Sequence, residues 1–355
     1  MKKQRLESAF LLTGLATLAT IPVYATIGSS IQPGTSSNNH LIAQKAPAQI
    51  TLVSYAVTRA AYEKLIPKFI AKWKKEKGQD ITIKTSYGGS GTQTRAVIDG
   101  LEADVVALAL GLDLNKIEKA GLIKPGWQKR APHNAIVTHS VVAFETRKGN
   151  PKHIKNWNDL ARPDVQVITG NPKTSGGARW NFLGIWGSVV ENRGNQAKAA
   201  DFVTKVYKNV PFLAKDSREA SNAFYQKNQG DVLLNYENEV ILAAQKGQTK
   251  PNYIVPAINI SIDAPVAVVD KVVDKHQTRA IAEAFVRYLF TDEAQEIFAQ
   301  TGYRPVSPTV AKQFEHKFPK PTKLFTVGSL GGWESVQKKF FDDGAIFDQV
   351  FSKSH

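Results

Sequence analysis

The sequence predicts an α/β protein of two lobes, each a mainly parallel sheet flanked by helices. Three observations carry this. From Ile50 onward, short β-branched runs alternate with segments of helical apolar periodicity, the signature of strand–helix–strand units. The alternation then runs a second time with different partners and without a sequence repeat. Finally, two glycine-rich stretches, Ser86 to Thr92 and Asn171 to Trp180, each lead straight into a helical pattern. Such a loop leaves several backbone N–H groups unpaired and aimed at one point, where the helix dipole favours negative charge.

Taken in order, Ile50 to Tyr55 is a strand and Thr58 a cap for the helix after it. Tyr62, Leu65, Ile66 and Phe69 share one helix face, and Pro67 within that pattern should bend or end the helix. Asp80 to Lys84 is a strand, Ser90 to Gly100 a helix, and Ala103 to Ala109 a nearly all-apolar strand. In the second round, His139 to Glu145 and Val165 to Thr169 are strands, with a helical turn at Trp157 to Leu160 between them. Gly176 to Val190 and Ala197 to Tyr207 are helices, followed by a short strand at Val210 to Leu213. A helix at Ser217 to Lys227 and a strand at Asp231 to Asn235 complete this part. Ala264 to Asp270 is a strand, and Thr278 to Phe290, Asp292 to Thr301 and Trp333 to Phe341 are helices. Residues 49–138 then form the first part of lobe 1 and 139–257 form lobe 2, while 258–355 return to lobe 1 and add C-terminal helices. The strands around Val141 and Val268 are the candidate hinges.

Before this frame, Lys2, Lys3 and Arg5 precede an apolar run from Ala9 to Val23 and small residues near Ala25. These are the parts of a secretory signal peptide over 1–25, too short and too interrupted by Thr and Gly for a membrane anchor. Residues 26–48, rich in Ser, Asn, Gly and Pro, read as a flexible leader. The mature protein is expected in the periplasm.

The chain of 355 residues has no cysteine, which excludes disulfides, thiolate metal sites and a cysteine nucleophile. Its seven histidines lack metal-ligand spacing, so neither metal nor cofactor is expected. The net charge of +15 is spread along the chain without a nucleic-acid-binding motif, which suits attraction of small anions better than nucleic acid.

Ser90 reads first as a helix cap and second as a ligand contact whose neighbours Gly88, Gly89 and Gly91 admit close approach. Ser175, Gly176 and Gly177 say more. Two glycines in a first helical turn cost about 1 kcal/mol each relative to Ala. Either a Cβ there would block a ligand, or the turn has unusual backbone angles. Asp216 and Glu219 have capping-box spacing, with Ser217 at the helix start and Arg218 bracing from behind. Tyr236, after an apolar strand, can donate a hydroxyl, and Glu237 or Glu239 could act as acid or base. No nucleophile or second catalytic partner accompanies them, and no catalytic residue is assigned.

Together, Val53 to Tyr55, Ser86 to Gly91, Glu102 to Ala109, Arg147 to Lys152, Asn156 to Leu160, Asn171 to Trp180, Asp231 to Glu239, Val269 to Asp274 and Tyr303 to Pro305 resemble the periplasmic sulfate-binding proteins of ABC transporters and their thiosulfate-binding relatives. The resemblance implies a type II periplasmic binding fold that closes over a dehydrated oxyanion, works as a monomer and delivers the anion to membrane subunits of an ABC transporter. By motif position it puts ligand donors at Ala56, Ser90, Ser175, Gly176, Gly177, Ser217 and Tyr236. Two positions depart from the family pattern: Ala56 stands where Asp is frequent, and Tyr236 replaces a tryptophan indole donor. Gly177 leans towards sulfate over thiosulfate. Sulfate, fully ionised, only accepts hydrogen bonds, so a site built of donors and neutralised by dipoles, without a buried Lys or Arg, would select it over protonated phosphate. The nearest alternative is binding of thiosulfate or another tetrahedral oxyanion, and the alternative from another class is a secreted sulfate- or phosphate-ester hydrolase.

Overall fold

The computed structural model describes residues 46–245 and 252–354; the expected signal peptide and nearly all of the leader lie outside the described residues. The chain opens with β1 (Ala48–Tyr55), α1 (Arg59–Lys77), β2 (Ile81–Gly88), α2 (Ser90–Ile98), β3 (Val105–Ala107), α3 (Gly111–Lys119) and β4 (Ile136–Ser140). It continues with β5 (Val142–Thr146), β6 (Val167–Gly170), α4 (Gly176–Val190), α5 (Gln196–Lys208) and β7 (Leu213–Ala214). Next come α6 (Ser217–Tyr225), β8 (Val232–Tyr236), α7 (Glu237–Gln245) and β9 (Asn252–Ile254). The return leg is β10 (Ile258–Ile260), β11 (Ile262–Val268), α8 (Asp270–His276), α9 (Arg279–Tyr288), α10 (Asp292–Gln300) and β12 (Arg304–Pro305). The chain ends with α11 (Pro308–Gln313), β13 (Lys323–Phe325), α12 (Gly332–Val336), a π-helical turn (Gln337–Phe341) and α13 (Ile346–Ser354).

Among the described residues two large sheets organise these elements, a six-stranded one ordered β12-β4-β11-β3-β1-β2 and a five-stranded one ordered β7-β6-β8-β5-β9, and β10 pairs with β13 in a small third sheet. The α/β class holds, but both sheets are mixed. β1 runs parallel to β2 and β3, and β6 to β7 and β8, whereas β4, β5 and β11 pair antiparallel. β4, β5 and β11 flank the crossings between lobes, where the chain leaves one sheet and enters the other.

Those crossings correct two expectations. The apolar run His139 to Glu145 is two strands in different sheets, β4 and β5, with buried Val141 between them. The chain returns between β9 and β11, over 255–261, and not at Val268, which pairs with Val105 inside the six-stranded sheet. Asn259 ties the crossings together: its Oδ1 accepts the Val142 N–H at 3.1 Å and its Nδ2 donates to Val142 O at 2.8 Å.

Three local expectations also change. Helix α1 continues through Pro67, which sits on the exposed face opposite buried Tyr62, Leu65 and Phe69, and ends at Gly78 with φ of 64°. Water can take the carbonyl that proline leaves unbonded. Thr58 does not cap α1, because its hydroxyl donates to Tyr55 O at 2.7 Å within a 3-10 turn over Ala56–Thr58. The segment Trp333 to Phe341 is no single helix but α12 running into the π-helical turn.

Helix α4 is buried on all sides from Gly176 to Ser188. A helix apolar all round needs partners all round. The C-terminal segment supplies one of them: Phe340 packs on Trp186 at 4.9 Å between ring centres, and Phe341 on Phe182 at 5.5 Å. The first turn of α4 is thereby held at the boundary between the lobes.

Candidate functional site

Three helix starts and one strand end meet between the sheets. A methyl on Gly176 would lie 2.6 Å from the Ala109 Cβ and 3.1 Å from the Ser90 Cβ. One on Gly177 would lie 2.1 Å from the Ser217 Oγ and 2.7 Å from the Tyr236 Cε2. The Tyr236 ring in turn stands 5.8 Å from that of Tyr55, whose neighbour Ala56 opens the 3-10 turn. Ser90, Ser175, Gly176, Gly177, Ser217 and Tyr236 are all buried, and Ala56 half-buried. All seven positions singled out from the sequence are thus in one neighbourhood.

The two glycines that open α4 are explained by close approach and not by unusual backbone angles, since neither has a positive φ. Across the cleft, the Gly91 N–H donates to Thr174 O at 3.1 Å and Trp180 Nε1 to Ala109 O at 3.0 Å. The lobes are therefore in direct contact around the site. Amides in the first turn of a helix have no acceptor within it. Gly176 and Gly177 in α4, Ser90 in α2 and Ser217 in α6 are at such positions.

The side chains divide into free and committed donors. Ser90 is not the cap of α2; that position is Gly89. Its hydroxyl instead donates to Asp113 Oδ2 at 2.5 Å and accepts the Ala109 N–H at 2.9 Å, which leaves the backbone amide as its available donor. Ser175 is the reverse. Its amide donates to Asn171 O at 2.8 Å, while its Oγ caps α4 by accepting the Ala178 N–H at 3.3 Å and keeps its proton. The Tyr236 hydroxyl is buried without a protein partner, and burial lifts its pKa well above the usual phenol range, so it is a neutral donor.

The two acids that follow Tyr236 are both occupied. Glu237 binds Arg304 through two contacts of 2.7 and 2.9 Å, and Glu239 accepts from Arg218 at 2.9 Å and Ser221 Oγ at 3.1 Å. Arg218 braces from behind, as expected. Asp216 caps α6 by accepting the Glu219 N–H at 2.9 Å, but the return bond of the box is shifted: Glu219 takes the Lys215 amide. An acid or base role for Glu237 or Glu239 would first require breaking these pairs.

Two buried charges escaped sequence reasoning. Asp113 lies fully buried behind Ser90; burial raises its pKa, against the pull of Arg179 and the Ser90 hydroxyl. Arg179 is buried one turn into α4, contrary to the expected absence of a buried Lys or Arg. Its Nε donates to Pro172 O at 2.7 Å and its Nη1 to Gln337 Oε1 at 3.3 Å, which ties it to the loop before α4 and to the C-terminal segment. Arg179 stood in the motif block, but nothing there distinguished it, and Asp113 carried no signal in the sequence. Among the described residues no group of three or more His, Asp and Glu is placed to hold a metal ion.

What the arrangement can do is narrow: surround a small acceptor-only group with amide and hydroxyl donors at buried positions. The family model described as bacterial extracellular solute-binding protein matches residues 50–304. A sulfate-binding protein of Synechocystis is 57% identical over 326 residues, covering 92% of this chain and 91% of that one. A thiosulfate-binding protein of Pseudomonas aeruginosa is 43% identical, with 84% of this chain and 91% of that one covered. Among solved structures, the sulfate-binding protein SubI of Mycobacterium tuberculosis superposes with a TM-score of 0.77 at 38% identity, covering 83% of this chain and all of SubI.

Proposed function

The chain belongs to the bacterial extracellular solute-binding proteins, and from that premise we propose that it captures sulfate outside the inner membrane and hands it to the membrane subunits of an ABC transporter. It is a binding protein and not an enzyme. In this reading residues 1–25 are a cleaved signal peptide, 26–48 a leader, and the mature chain acts as a monomer in the periplasm. Lobe 1 comprises 49–140 and most of 258–355, a boundary two residues later than 138 because β4 stays in the six-stranded sheet, and lobe 2 comprises 142–257. They close about the crossings at Val141 and 255–261.

The observation that carries the reading is the meeting of the α2, α4 and α6 starts, with Glu237 and Glu239 held by Arg304 and Arg218 and Asp113 bonded to the Ser90 hydroxyl. The amides of Ala56, Ser90, Gly176, Gly177 and Ser217, with the hydroxyls of Ser175 and Tyr236, are the anion's donors. Aligned dipoles offset its charge without reorganising. A proton on phosphate would need an acceptor, and leaving that hydrogen unpaired costs about 1–3 kcal/mol. Thiosulfate is the second reading, favoured by the 43% identical relative.

Calorimetric titration of the mature protein with sulfate, thiosulfate, phosphate and molybdate tests this. Sulfate is expected to bind with little dependence on pH between mildly acidic and neutral conditions. A preference for phosphate would reject the donor-only site.

A further inference from the structure

The loop that delivers Ser175 to the site begins at Asn171, and its third residue points away from the cleft. Lys173 extends its ammonium into a cup of four oxygens: Phe341 O at 3.1 Å, Asp342 O at 3.3 Å, Asp343 Oδ1 at 3.3 Å and Asp348 Oδ2 at 2.9 Å. The π-helical turn makes this cup. The Asp342 N–H reaches back five residues to Gln337 O at 2.9 Å, and the chain then leaves the helix with the carbonyls of Phe341 and Asp342 turned towards the lysine. Asp348 is itself fixed by the Gly344 N–H at 2.7 Å.

A second tie joins the same two segments. Arg179 bonds both Pro172 O and Gln337 Oε1, and Gln337 Nε2 donates to Asp342 Oδ1 at 2.6 Å. The C-terminal segment is itself anchored in the core of lobe 2, where Phe347 packs on Tyr207 at 5.9 Å alongside the Phe340 and Phe341 contacts. A loop of five residues is thus fastened to a rigid body through its interior, and the other end of that loop carries the anion donors.

We infer that residues 332–354 hold the glycine-rich loop in its binding geometry and that Lys173 is the positioning residue through which they act; this rests on the anion-site reading given above. The lysine is directed at the C-terminal segment. Its charge is spent on Asp343, Asp348 and two carbonyls, so it acts through where it places Thr174 to Gly177. Donor sites lose their advantage when the donors are misplaced by fractions of an ångström.

The test compares wild type with Lys173→Met, Lys173→Arg, Asp348→Asn and the Lys173→Met/Asp348→Asn pair. Sulfate affinity is read by calorimetry, and amide hydrogen exchange at 174–178 in the unliganded protein. Lys173→Met is expected to weaken sulfate binding about ten- to hundredfold, the range for losing charge-assisted hydrogen bonds. Exchange at 174–178 should accelerate, Lys173→Arg should recover most of the affinity, and the pair should be no weaker than Lys173→Met alone. Wild-type affinity in Lys173→Met overturns the inference. So does an affinity loss with unchanged exchange at 174–178, which would mean that the charge acts on the anion directly. If wild type itself ignores sulfate, the anion reading fails instead, and the exchange arm still decides whether Lys173 positions the loop.

Discussion

Gly176→Ala separates closure from folding. Helix α4 lies wholly in lobe 2, yet the atoms a Gly176 methyl would strike belong to lobe 1: Ala109 Cβ at 2.6 Å, Ser90 Cβ at 3.1 Å and Leu110 Cγ at 3.5 Å. Carbon atoms settle at about 3.5–4.0 Å, so the lobes would have to part by roughly 1 Å at the floor of the site. Overpacking of this kind costs about 1–3 kcal/mol, or roughly 5- to 150-fold in affinity if it falls entirely on the closed state. In the open state nothing opposes the methyl, and replacing glycine in a helix gains about 0.5–1 kcal/mol. The variant should therefore melt at or above the wild-type temperature without sulfate, bind sulfate more weakly by calorimetry, and show a smaller thermal shift on adding it. Gly177→Ala is the contrast. Its methyl would meet Ser217 and the Tyr236 ring, both in lobe 2, so it should lower the melting temperature even without anion. Sulfate binding at wild-type strength by Gly176→Ala would refute the reasoning, because the two lobes could not then meet as described.

Three more outcomes follow from the buried polar groups. Tyr236→Phe removes a hydroxyl that has no protein partner, so unliganded stability should hold or rise while sulfate affinity falls by about 1.5–3 kcal/mol, the worth of a hydrogen bond to a charged group; unchanged affinity in the titration would remove Tyr236 from the donor set. Arg304→Met strands the fully buried Glu237 carboxylate and should cost about 3–5 kcal/mol in urea unfolding, with Arg304→Met/Glu237→Gln recovering most of it. Glu145, buried on β5 and bonded by Tyr225, is pushed up to about 7 from an ordinary 4.5, chiefly by burial and further by Glu239. Between those values the folded chain keeps a proton that the unfolded chain has released, so stability falls as pH rises through the window, by about 3 kcal/mol for this group. Glu145→Gln should flatten that slope in urea titrations and be the more stable protein at pH 8. A residual loss of the same sign should persist from His276, whose pKa is raised by Glu102 and Asp104. An unaltered slope would exonerate Glu145.

That these positions gather at helix starts was readable because the pattern that marks a helix start is local. A glycine pair opening a helix announces an exposed row of amides, and the structure starts α4 at the predicted residue, Gly176, and ends it at the predicted Val190. What the chain does not reveal is which sheet a strand joins. His139 to Glu145 looks like one strand because β-branched and apolar residues run through Val141 without a break, and burial in either sheet makes the same demand on side chains. The switch depends on partners more than a hundred residues away, such as Asn259, whose side chain holds Val142 where a sheet neighbour otherwise would. Ser90 failed as a cap for a related reason. A hydroxyl at a helix start satisfies its own helix only if nothing better is near, and here Asp113 and the Ala109 amide, both from the next strand–helix unit, claim it first. That capture has a functional sense. With its hydroxyl locked from behind, Ser90 presents the cleft with an amide alone, while Ser175, whose amide is locked, presents a hydroxyl. Committing one donor of each residue to the protein fixes the direction of the other, and a fixed direction is what dipoles need in order to stand in for a counter-charge.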